Sequence, residues 1–169
     1  MQEYITQALI LHKQASQETD ALLTLYAEEL GRCVVKARGM RRMLSKLSPH
    51  TEPGMLSTVR IVEQHGLTLV DALQIKKLFT NTNTLYLLSE LLHGELPDPE
   101  LWASLMEEPV TWLHVLRALG WDPEHAHCAS CMGKPDMFLL DSQTFSCASC
   151  IPRSQIPKDK VVYIHERME

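Results

Sequence analysis

Two copies of one tetrapeptide, Cys128-Ala-Ser-Cys131 and Cys147-Ala-Ser-Cys150, stand 15 residues apart toward the C-terminal end of this chain. A C-x2-C turn sets two sulfurs on one side of a metal, so a pair of such turns closes a tetrahedral shell of four thiolates. The spacing predicts that Cys128, Cys131, Cys147 and Cys150 hold one structural Zn2+. Residues 137–140 and 143–146 read as a small hairpin about Asp141-Ser142 that carries the second knuckle back toward the first, as in a zinc ribbon. A catalytic zinc keeps one coordination position open for water. Four cysteines leave none, and neither knuckle follows a proline as the P-C-x-x-C of zinc deaminases does. The competing readings are a redox dithiol pair and two disulfides. His125 and His127 lie beside the first knuckle, but four cysteines already complete a shell. The knuckles are architecture, and function has to come from elsewhere.

A chain of 169 residues holds one large domain or two small ones and can bury roughly 68–70% of its unfolded surface. It shows no run of about 18 apolar residues, and residues 1–13 lack the basic start and apolar stretch of a signal peptide. Five cysteines, four of them assigned to metal, fit a reducing compartment, with Cys33 as a small core residue beside Val34 and Val35. A cytoplasmic protein without a membrane partner is expected. The net charge is −5, yet six of the 16 basic residues (Arg32, Lys36, Arg38, Arg41, Arg42 and Lys46) fall between Gly31 and Thr51, where there is no Asp or Glu. One face of the N-terminal half can be positive while the whole molecule stays anionic.

Alternating apolar residues predict strands over residues 4–12 and 55–63, and a short apolar run after the turn at His65-Gly66 predicts another over 67–73. Residues 20–30 suit helix or strand by period, and Cys33-Val34-Val35 after Gly31 favours a two-stranded hairpin. Five short strands in the first 75 or so residues predict a small barrel or partly open Greek-key sheet. Helical spacing then begins. Leu85, Leu88 and Leu92 follow N-cap candidates in Asn81–Asn83, Asp98-Pro99 opens a second helix, and Pro109 opens a third that Gly120 ends. The last stretch, 161–164, reads equally as a strand or as part of a disordered tail. The resulting division is a barrel at 1–79, a helical segment at 80–124, a zinc module at 125–152 and a tail at 153–169, an α+β fold overall.

A barrel with a basic loop suits nucleic acid, the loop meeting phosphates and the sheet offering shape and stacking. Lys36, Arg38, Arg41, Arg42 and Lys46 are the candidate contacts, with weak sequence preference because phosphate contacts position without reading bases. The alternative is a solvated loop. Tyr4 and Tyr26 are the barrel's aromatic residues, both more simply core. Neither G-x-S-x-G, Walker A nor G-x-G-x-x-G occurs, and the eight histidines are scattered singly. The chain therefore reads as a non-enzyme.

Three segments resemble, in order, the bacterial RecO family of recombination mediators. They are residues 17–31 (Gln-Glu-Thr-Asp-Ala-Leu-Leu-Thr-Leu-Tyr-Ala-Glu-Glu-Leu-Gly), the basic loop 36–46 closing on Leu47-Ser48-Pro49-His50-Thr51, and Leu116-Arg117-Ala118-Leu119-Gly120-Trp121-Asp122-Pro123 before Cys128. The resemblance implies an N-terminal OB barrel, a short helical domain and a zinc module, in a member that looks truncated at its C-terminus, with a slightly shortened basic loop. It implies DNA repair and recombination after DNA damage: binding single- and double-stranded DNA, annealing strands, and helping RecA replace single-strand-binding protein together with RecR, in the nucleoid. Two further readings remain, a protein-interaction module docking on a larger assembly and an RNA-binding protein.

Overall fold

The computed structural model describes residues 1–16, 18–42, 45–92 and 96–168. Strands β1 (Gln2–Ser16), β2 (Asp20–Ala27), β3 (Gly31–Ala37), β4 (Met55–Glu63) and β5 (Leu67–Lys77) close into a barrel in the order β1-β2-β3-β5-β4. Closure is possible because β1 is long enough to serve two neighbours: its first half pairs with β4 and its second half with β2, both antiparallel. The parallel pairing of Lys36 with Thr68 and Ala37 with Leu69 joins β3 to β5. Alternation sends Ala8, Ile10, Leu23, Leu25, Val35, Val59, Ile61 and Leu69 inward, where all are buried in one cluster. The expected OB-type barrel is thus present.

Three local features have physical causes. Residues 20–30 resolve into β2 and a turn, and Gly31 enters β3 at φ +65, a left-handed conformation that suits glycine where a hairpin turns. Strand β5 continues past Leu73 to Lys77, hidden in the sequence because Leu73, Gln74, Ile75 and Lys77 are all exposed and do not alternate. Gly54 adopts φ +86. Its N–H donates to the Ile10 carbonyl at 2.8 Å and its own carbonyl accepts from the Leu78 N–H at 2.8 Å. A Cβ here would be driven into the Phe79 carbonyl oxygen. Gly54→Ala is therefore expected to destabilise the barrel by more than about 2 kcal/mol, the left-handed strain and the clash adding, read as a lower urea midpoint.

Helix α1 (Thr82–Leu91) starts at Asn81, whose side chain accepts from the Asn83 N–H, and packs on β1. It lies in the same compact unit as the barrel, residues 1–98. Tyr26 is fully buried, its hydroxyl accepting from the Asp98 N–H at 3.2 Å.

Residues 99–168 form the second unit. Helix α2 (Pro99–Met106) begins at the expected proline. Helix α3 (Trp112–Ala118) starts later than Pro109 suggested, because Thr111 is the cap and accepts from the His114 N–H. Strands β6 (Met137–Leu139), β7 (Thr144–Ser146) and β8 (Val161–Tyr163) make a sheet in the order β7-β6-β8. Residues 161–164 are therefore a strand and its end, not a loose tail. Val162 and Ile164 are buried, and the Met168 N–H donates to the Val110 carbonyl at 3.1 Å. Phe138 packs between Trp121, tilted at 4.9 Å between centroids, and Phe145, edge-on at 5.1 Å. Among the described residues, no helix is long and apolar enough to cross a membrane.

Candidate metal centre and nucleic-acid interface

Each knuckle is a tight turn closed by its own backbone. The Met132 N–H donates to the Cys128 carbonyl at 2.9 Å, and the Cys150 and Ile151 N–H groups both donate to the Cys147 carbonyl at 3.1 Å. The β6–β7 hairpin brings the two turns together, with Ala129 N–H donating to the Phe145 carbonyl at 2.9 Å. Asp136 locks the second turn by accepting from the Ala148 N–H at 2.9 Å. The four sulfurs lie within 4.8 Å of one another, Cys131 and Cys147 at 3.6 Å. Zn–S bonds of about 2.3 Å give a tetrahedron with sulfur–sulfur edges of about 3.8 Å, so the set fits such an ion.

The chemistry of the donors agrees. The Cys128 thiol is drawn down to about 5, first by the backbone N–H of Cys131 and then by that of Ser130. Cys150 is pushed up to about 12 by the sulfurs it faces, Cys131 first. One sulfur is ready to ionise and another resists, which is how crowded thiols behave until a cation compensates them. All five cysteines are free thiols, and disulfides within each knuckle would not require the knuckles to converge. Cys131 is exposed, leaving a path for an ion. His125 and His127 are exposed and outside the sulfur cluster; His125 Nδ1 lies 2.7 Å from Asp122 Oδ2. Cys33 is half-buried, its thiol pushed up to about 11 by burial, consistent with packing.

The basic loop leaves the barrel at the end of β3. Arg38, Arg41, Arg42 and Lys46 are exposed, while Met40 is buried in the barrel core and fastens the loop's base. Met43 and Leu44 lie outside the described residues. Asp20, at the start of β2, organises the root. It accepts from the Gly39 N–H at 2.9 Å and pairs with Lys36 at 3.1 Å. These two contacts, the Gly39 N–H first, hold its carboxyl below the ordinary range, so the anchor is ionised throughout neutral pH. The loop stretch contains no acid, but a neighbouring strand supplies one, and Lys36 is neutralised where the other four cations face solvent. The loop returns through Thr51, fully buried, whose hydroxyl donates to the Leu47 carbonyl at 2.8 Å.

Residues 1–79 match the family described as "Recombination protein O N terminal". The DNA repair protein RecO of Haemophilus influenzae strain Rd is 27% identical over 165 residues, 83% of this chain and 69% of that protein. The DNA repair protein RecO of Myxococcus xanthus is 29% identical over 179 residues, 90% of this chain and 73% of its own. That of Bacillus pumilus is 25% identical over 175 residues, 88% and 68%. Residues 1–79 thus match the RecO N-terminal domain, and the chain is similar to RecO proteins along most of its length.

Three side chains stand outside the residues to which the sequence points. Asp20 was missed because its partners lie on another strand. Arg32 belongs to the basic set, and its Nε is buried without a hydrogen-bond partner among the described residues. Tyr86 projects from α1, 42% exposed, whereas the neighbouring leucines Leu85, Leu87 and Leu88 are buried. The usable signal was an aromatic residue off the leucine stripe.

Proposed function

We propose that this chain is a DNA-binding accessory factor of recombinational repair, acting without a catalytic step. The observation that carries the reading is the pinned loop that presents Arg38, Arg41, Arg42 and Lys46 from the mouth of an OB-type barrel, with Lys36 held at its root. Exposed guanidinium and ammonium groups displace counterions from phosphates, which gives affinity without base selection and lets two like-charged strands approach for annealing. The names of the relatives, DNA repair protein RecO, support the same role. In this reading Cys128, Cys131, Cys147 and Cys150 hold a structural Zn2+ that crosslinks the sheet of the second unit. A RecR-like protein is the proposed partner in exchanging single-strand-binding protein for RecA.

Mobility titration with single-stranded DNA, duplex DNA and RNA at several salt concentrations tests the reading: steep salt dependence on DNA is expected, and tight binding to RNA alone would overturn it. Asp20 offers a sharper check. Asp20→Asn keeps an acceptor for Gly39 but releases Lys36, so the slope of log affinity against log salt on single strands should steepen by about 0.7, one phosphate contact.

A second reading, docking on a larger protein assembly, draws on Ile5 (65% exposed) and Leu73 (66%) on the outer surface of the barrel. Paired titrations with DNA and with RecR from the same organism separate the two: DNA affinity unchanged in loop variants, together with RecR heat lost in Leu73→Ser, would favour docking.

A further inference from the structure

Between α1 and the outer face of β1–β3 lies a cavity of about 320 Å³. Its apolar surface comes from Leu11 and Leu85, both 3% exposed, and from the Tyr86 ring. Polar groups enter from several elements: Arg32 from β3, Thr24 from β2, His12 from β1 and Glu90 from α1. Among the described residues the Arg32 Nε is buried with no hydrogen-bond partner, a charged donor whose unmet bond costs free energy until something accepts it.

A bare phosphate is a poor match here, because Glu90 shares the lining and most of the surface is apolar. A nucleobase presents a flat apolar face together with donors and acceptors on one edge. Tyr86 can stack on the face, Arg32 can donate to a ring or carbonyl acceptor, and Glu90 can accept from an exocyclic amine. Strand β3 leads from the cavity toward the basic loop. Arg32, Val34 and Lys36 alternate on the outward side of β3, a run of about 13 Å at strand rise, and the chain then enters the loop at Arg38.

We propose that this cavity is a base pocket, holding one unstacked base of a single strand whose backbone runs along β3 to the basic loop. The proposal rests on the DNA-binding reading and adds a polarity to it: a paired base cannot enter, so single strands gain contacts that duplex does not.

The test uses the full chain with Tyr86→Ala, Tyr86→Phe and Arg41→Glu/Arg42→Glu, titrated with a single-stranded oligonucleotide, an abasic oligomer of the same length and a duplex. Tyr86→Ala should weaken single-strand binding about tenfold, the low-to-middle range of one base stack, with the salt slope unchanged. Tyr86→Phe should restore it, and neither should alter binding of the abasic oligomer or the duplex. A 5-iodouracil strand should photocrosslink to the peptide containing Tyr86. If Tyr86→Ala binds the single strand as the parent does while the arginine variant is weakened, the pocket is not a base site and the DNA reading stands. If the parent chain binds no strand, both fail. Circular dichroism confirms folding, and Tyr86 is exposed enough that its truncation leaves the core in place.

Discussion

Serine at position 128 is expected to unfold the second unit while leaving the barrel intact. The unit spans 99–168, and its apolar core is built from short pieces: Leu101, Trp102, Leu105, Trp112, Val115, Leu116, Phe138 and Val162. Chains of this size rarely gain more than a few kcal/mol from a core alone. A structural zinc supplies roughly 10–16 kcal/mol in comparable modules, far more than any single side chain here. Serine matches the size of Cys128 but does not ionise at neutral pH, so it removes the sulfur most inclined to become a thiolate. Metal analysis of chelator-free protein should give one zinc per chain, falling in Cys128→Ser. Hydrogen exchange should then show amides of β6, β7 and β8 losing protection while those of β1–β5 keep theirs. Well under one zinc in the parent chain, or an unchanged second unit in the variant, would remove the metal assignment.

The cysteine site was legible because its geometry is local: two short turns at a fixed spacing carry nearly the whole argument. Strands β1 and β4 were legible because each has one face in the barrel core. Strand β2 was legible only through the hairpin that Gly31 and Cys33-Val34-Val35 imply, since it is apolar on both sides. Leu23 and Leu25 face the core, while Tyr26, outside that cluster, is fully buried as well, which erases the period that separates strand from helix. Strand β8 was obscured by charged neighbours, Lys158 to Lys160 and His165 to Glu166, though Val161, Val162 and Ile164 supply its burial. The loop's cations could be read from composition. The pairing of Lys36 with Asp20 could not, because it depends on the β2–β3 register. The same holds for the cavity, whose lining comes from separate elements that meet only when the barrel closes and α1 packs on β1.

Changing Arg41 and Arg42 together to glutamate should cost most of the DNA affinity and little stability. With Lys36 paired to Asp20, the four exposed cations Arg38, Arg41, Arg42 and Lys46 predict a slope of log affinity against log salt near −2.8 on single strands, at about −0.7 per phosphate. Losing two contacts should bring it near −1.4. Extrapolated from 1 M, where the term vanishes, that is a loss of roughly 25-fold at 0.1 M salt, before any repulsion from the new carboxylates. Different sequences should weaken alike, since phosphate contacts carry no base information. The loop root should survive: Arg41 N–H to the Thr19 carbonyl at 2.9 Å and Arg42 N–H to the Gly39 carbonyl at 3.2 Å are backbone bonds that glutamate keeps. Exposed charge changes of this kind usually alter stability within about 0.5 kcal/mol. A folded double variant with the parent's affinity and slope would show the loop to be a solvated surface, and the phosphate-binding face would then have to be sought elsewhere on the barrel.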